Sequence, residues 1–173
     1  MSDEPIHASR YAWPEVEIDP VTRMRALAAG LPHVAVDETL FALPFDRVWS
    51  FVADLATNTP RFEGLVADVR PLEQQGERLR LAARNPILGW SEFDVVLRPG
   101  WCLMRSRLGE VGMAARPEGP RATRFLHFEG SPLLGRLARP FFAWNIRQDF
   151  RRLHSLLPPD DARGEPGRTD RSS

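Results

Sequence analysis

At 173 residues the chain is long enough for one domain with a substantial core, and its 43% apolar content is ordinary for a globular protein. Its 23 basic residues balance 23 acidic ones without forming a basic block, which argues against nucleic-acid binding driven by phosphate contacts. Every basic residue is Arg, so neither a side-chain Schiff base nor a lysine general base is available.

Residues 1–20 mix Pro, acids and isolated aromatics such as Tyr11 and Trp13 without a sustained period. They read as an arm that lies across the domain surface. Asp3, Glu4 and His7 stand where a signal peptide would need apolar residues. No stretch reaches the ~20 apolar residues of a membrane span, so the expectation is a cytoplasmic protein without an integral membrane segment. Val21 to Ala29 predicts a short helix stopped by Gly30 and Pro32, so residues 1–30 form an arm ahead of a domain over 31–157.

Val34 to Leu43 is rich in β-branched and apolar residues and reads as a strand. Pro44 cannot donate a ladder hydrogen bond, and its fixed φ suits the approach to a helix. Val48, Trp49, Phe51, Val52 and Leu55 then recur at helical spacing, with Asp46 placed to complement the helix dipole. Asn58, Thr59 and Pro60 are expected to break the helix before a short turn at Arg61-Phe62-Glu63. Strand candidates follow at 65–71, 77–84, 92–98, 101–108, 111–116 and 123–129, separated by turn signals such as Gln75-Gly76 and Pro99-Gly100. Spacers this short favour an antiparallel meander. Residues 133–157 form one long helical segment, in which Pro140 either kinks the helix or delays its start. Residues 158–173 are rich in Pro, Gly and charge and read as a disordered tail.

The residues Leu43-Pro44, Val48-Trp49 and Asp54, with this order of elements, resemble the START-like or SRPBCC superfamily over about 125 residues. Members include polyketide cyclase/dehydrase-like and lipid-transfer-like helix-grip proteins. The resemblance implies an α+β helix-grip fold, with two short helices after the first strand and a curved antiparallel sheet wrapped around the long C-terminal helix. It also implies an elongated cavity between sheet and helix, suited to a lipid, quinone or polyketide-like molecule.

Strand alternation and the helix nominate Leu81, Phe93, Val95, Phe141, Phe142, Trp144 and Ile146 for the lining of that cavity. Trp101 and Leu103, or else Cys102 and Met104, come from one strand. Phe125 and His127, or else Leu126 and Phe128, come from the last strand. An inward His127 could serve as a general acid or base, and Asp94 poses the same question; for both, an exposed position is the plainer expectation. Asp149 pairs with Arg152 at i+3, as on an ordinary helix surface. His33 and His154 fall at element ends, and lone Cys102 reads as a small buried hydrophobe.

The four His are scattered without ligand spacing, so neither metal nor cofactor is expected, and no catalytic motif requires an enzyme. Binding or carriage of a hydrophobic small molecule is the leading expectation. A small cyclase/dehydratase-type enzyme using His127 or Asp94 comes second. A protein-interaction module resembling the Hsp90-activator branch comes third, with the N-terminal arm its only hint. The ligand's identity and the oligomeric state are not legible.

Overall fold

A computed structural model describes residues 17–159. The arm before residue 17 and the tail beyond 159 lie outside the described residues. Helix α1 (Pro20–Ala29) precedes strand β1 (Val34–Phe41), which is followed by α2 (Phe45–Ala53) and α3 (Leu55–Phe62). Strands β2 (Asp68–Gln75), β3 (Arg78–Asn85), β4 (Gly89–Arg98), β5 (Trp101–Arg105), β6 (Glu110–Pro117) and β7 (Thr123–Gly130) come next. A 3-10 turn (Gly135–Ala138) leads into α4 (Arg139–Leu156).

The strands form one sheet in the order β1-β7-β6-β5-β4-β3-β2, with every neighbouring pair antiparallel. Five of the six neighbouring pairs are consecutive in sequence, as short hairpins allow. The sixth joins the two ends of the domain, running from Val34 opposite Gly130 to Phe41 opposite Thr123.

Two apolar clusters hold the layers together. On the inner face, Phe142, Ile146, Phe150 and Leu153 of α4 pack with Phe41, Leu81, Val95, Cys102, Met104, Met113 and Phe125 of the sheet and with Val48 and Val52 of α2. On the outer face, Val21, Met24 and Ala28 of α1 cover Trp101, Ala114, Leu126 and Phe128. Asp19 starts α1 by accepting the Thr22 amide at 3.0 Å and the Thr22 hydroxyl at 2.7 Å.

Three local expectations change. Residues 58–60 do not break the chain's helical course. Asp54 caps α3 by accepting the Thr57 amide, Asn58 donates to the Phe51 carbonyl, and Pro60 forgoes one hydrogen bond without ending the helix. Of the two effects expected of Pro140, the delayed start is the one found: it sits in the first turn of α4, where its missing N–H is harmless, and the helix starts at Arg139 rather than near 133. Leu133, Leu134 and Leu137 therefore belong to an exposed approach to α4, and Leu137 is 94% exposed. The third change concerns β7. Phe125 and His127 face α4 while Leu126 and Phe128 face α1, and all four are buried because helices cover both sides of the strand. None of the helices in the described residues is long and apolar enough to cross a membrane.

Candidate functional site

Four elements converge on one polar cluster under α4. His127 and Glu129 lie two apart on β7 and share its inner face. Asn145 and Asp149 lie one turn apart on α4 and share its sheet-facing side. Glu63 follows the last residue of α3, and Gly112 of β6 supplies a backbone carbonyl. All the side chains in this cluster are buried.

His127 Nδ1 lies 3.2 Å from the Gly112 carbonyl, which can only accept, so Nδ1 carries a proton. His127 Nε2 then faces Glu129 Oε1 at 2.9 Å and Glu63 Oε1 at 3.2 Å. Asn145 Nδ2 donates to both Glu129 oxygens at 3.1 and 2.9 Å and to Asp149 Oδ2 at 2.9 Å. Asp149 Oδ1 accepts from the Gly64 amide at 2.9 Å and from Arg152 Nη1 at 2.8 Å. That guanidinium also donates to the Phe62 carbonyl at 3.1 Å, tying α4 to the end of α3. The Asp149–Arg152 pair thus exists at its expected spacing, with the carboxylate fully buried rather than on a surface.

Three carboxylates and one imidazole share this buried space, with Arg152 as the adjoining permanent cation. Burial, with the charges of Glu129 and Asp149, drives the Glu63 carboxyl well above the usual carboxylate range. Burial and Glu129 push Asp149 up to about 7. Burial opposes the charge of Glu129 too, but the hydrogen bond and charge of His127 outweigh it and hold that carboxyl low. The same pairing raises His127 against the effect of its own burial. Burial also pushes the Cys102 thiol up, consistent with an inert core residue.

Beside the cluster, between α3 and strands β2 to β6, lies a cavity of about 30 Å³. Its walls are Leu55, Val66, Val69, Leu81, Ala83, Phe93, Met104 and Val111, and its polar lining is Thr59 and Glu63. Thr59 Oγ1 and Glu63 Oε1 are buried without a hydrogen-bond partner. His127 does not border this cavity, so acid–base chemistry on a molecule within it would have to pass through Glu63. A much larger and open groove, about 1230 Å³, lies outside the sheet among Arg78, Arg80, Glu92, Asp94, Leu103, Arg105 and Glu110.

The nominated lining residues are thus scattered. Leu81 and Phe93 border the cavity. Val95, Phe125, Phe142 and Ile146 fill the same core around it. Trp101 and Leu103 face outward, and Cys102 and Met104 take the inward positions on β5. Phe141 and Trp144 are exposed on α4. Asp94 lies on the outer face with its side chain 87% exposed, 3.9 Å from Arg80, and has no access to the interior. Glu63, Glu129, Asn145 and Thr59 were not nominated. Glu129 carried a signal, since it repeats the face of His127 two residues on. Glu63 carried none, because only tertiary structure brings the end of α3 to β7.

No family profile and no curated sequence matches this chain. Solved structures do. A START superfamily protein from Mycobacterium smegmatis is 14% identical with a TM-score of 0.55, covering 72% of this chain and 97% of that one. Zhui aromatase/cyclase from Streptomyces sp. R1128 is 13% identical with a TM-score of 0.54, covering 77% and 96%. Truncated norcoclaurine synthase from Thalictrum flavum is 13% identical with a TM-score of 0.52, covering 72% and 92%. With a long C-terminal helix packed on a seven-stranded antiparallel sheet and two short helices after β1, this chain has the START-like, or SRPBCC, helix-grip fold.

Proposed function

We propose that the protein binds or carries a small hydrophobic molecule between the sheet and α3, rather than against the long C-terminal helix, with the polar end of that molecule at Glu63 and Thr59. One observation carries this reading: an apolar cavity is bordered by Thr59 and Glu63, each of which has a buried side-chain oxygen without a hydrogen-bond partner. An unsatisfied buried polar atom costs about 1–3 kcal/mol, which a ligand donor would recover. At about 30 Å³ the cavity matches one water-sized group. It therefore suits the polar tip of a ligand, and the remainder needs the wall to yield. The half-buried Val66, Phe93 and Val111 form the part of that wall with most room to move. A lipid, quinone or polyketide-like molecule fits this division into polar tip and apolar body. An aromatase/cyclase of the same fold is consistent with that ligand class.

Native mass spectrometry of the gently purified full chain, offered lipid extracts and a quinone panel, tests the reading. The expected result is a one-to-one complex that disappears in Leu81→Trp and Ala83→Leu, which fill the cavity. Absence of any complex, or an unchanged ligand set in both variants, would overturn it.

A further inference from the structure

We propose that Glu63, His127, Glu129 and Asp149 form a binding site for one first-row divalent metal ion. One donor atom from each residue can be chosen so that all four lie within 4.8 Å of one another. Donors of a tetrahedral ion at bonds of about 2.1 Å stand about 3.4 Å apart, and trans donors of an octahedral ion about 4.2 Å. The widest donor pair would therefore close by up to about 1.4 Å in the first geometry and about 0.6 Å in the second.

Two further observations point to a cation. The first is the orientation of His127. Its Nδ1 faces the Gly112 carbonyl, so Nε2 is the ring nitrogen turned toward the Glu129 and Glu63 oxygens, at 2.9 and 3.2 Å. A proton on Nε2 can fill that position in the metal-free cluster; a metal ion would replace it, and a backbone carbonyl behind the ring is how proteins orient a metal-ligating imidazole. The second is Glu63 Oε1, which is buried, lies 3.2 Å from His127 Nε2, and has no hydrogen-bond donor. A proton on Nε2 directed to Glu129 would still leave that oxygen unsatisfied. An ion coordinated by both carboxylates and Nε2 would satisfy all three, releasing any protons they carry.

The donor set narrows the ion. An imidazole with three carboxylates suits Zn²⁺, Fe²⁺ or Mn²⁺, whereas Ca²⁺ and Mg²⁺ take all-oxygen sites. The surroundings already hold the ligands in place: Asn145 Nδ2 binds Glu129 and Asp149, and the Gly64 amide and Arg152 bind Asp149. The inference shares Glu63 Oε1 with the ligand reading, and an ion bound there would leave Thr59 as the cavity's polar group; metal binding and ligand binding are therefore read separately.

The test uses the full chain, freed of any affinity tag and treated with chelator, titrated with Zn²⁺ by calorimetry and with Co²⁺ by visible absorption. The expected result is one equivalent of each, with Co²⁺ ligand-field bands. Asn145→Ala should weaken binding about 10- to 100-fold, as loss of an outer-shell orienter does. Glu63→Gln and His127→Gln should lose the one-to-one binding, while Asp94→Asn and the cavity-filling Leu81→Trp retain it. Glu63→Gln matches the protonated carboxyl in shape and charge and should stay folded without metal, as thermal unfolding would show, so the test survives even if His127→Gln does not fold. No uptake of Zn²⁺ or Co²⁺ by the unaltered protein would overturn the proposal and leave a proton shared by Glu63 and Glu129 as the occupant. Equal uptake by Glu63→Gln would overturn it too.

Discussion

At Gly112 the chain omits a side chain so that the Phe128 ring can lie against β6, while the carbonyl of the same residue accepts the His127 Nδ1 proton. A Cβ built there would run into that ring. Gly112→Ala should therefore destabilise the protein by about 1–3 kcal/mol through overpacking. Urea denaturation would check this; an effect below a few tenths would mean the ring moves freely. Gly64 is also constrained, since an added Cβ would stand 2.7 Å from Arg152 Nη1 and 3.0 Å from Asn145 Oδ1. Little of this was legible beforehand. His127 was flagged by its type and its place on a strand. Its partners come from three other elements, and Asn145 resembled any polar residue on a helix.

Elements were easier to read than residues, and their errors have one cause. Alternation along β7 indicates two faces but not which face is covered, and the usual assumption is that one meets solvent. Here α1 covers the second face, so the choice between Phe125/His127 and Leu126/Phe128 had no single answer. Leu126→Asp should accordingly be as damaging as Phe125→Asp, each placing an unpaired charge in an apolar layer; a folded, stable Leu126→Asp would remove α1 from the picture. Similarly, the apolar spacing through 133–141 resembled a buried stripe, yet Pro140 sets the start of α4 after most of it. Leu137→Ser should fall within about ±0.5 kcal/mol of the parent. Ile146→Ala, on the buried face of the same segment, should cost about 2–5 kcal/mol. Denaturant melts of the pair would check both values.

Across the whole molecule, one end of the sheet is fastened by ion pairs as well as by packing. Glu110 on β6 accepts from Arg105 Nε at 2.8 Å and lies 2.8 Å from His33 Nε2, just before β1. Burial works against its charge, but the Arg105 and His33 contacts outweigh it and hold the carboxyl below the usual range. A depressed carboxylate pKa contributes stability that is present above the unfolded value, about 4.3, and is lost as pH falls through the folded value. Glu110→Gln should be less stable than the parent at neutral pH and should converge with it below about pH 4. Urea midpoints across that range would show the convergence, and parallel profiles would exclude the mechanism.

The position of β7 has a consequence for how the molecule breathes. Its backbone is bonded to β1 on one side and β6 on the other, with α4 beneath it and α1 above. Its central amides are paired and covered on both faces, so their hydrogen exchange should proceed through global unfolding. His127 and Glu129 thus stand on a segment expected to exchange among the slowest of the described residues. Anything that binds them raises the free energy of the one opening event that every protected amide must await. Occupancy of a site the size of a single ion would then be readable as slowed exchange in strands far from it.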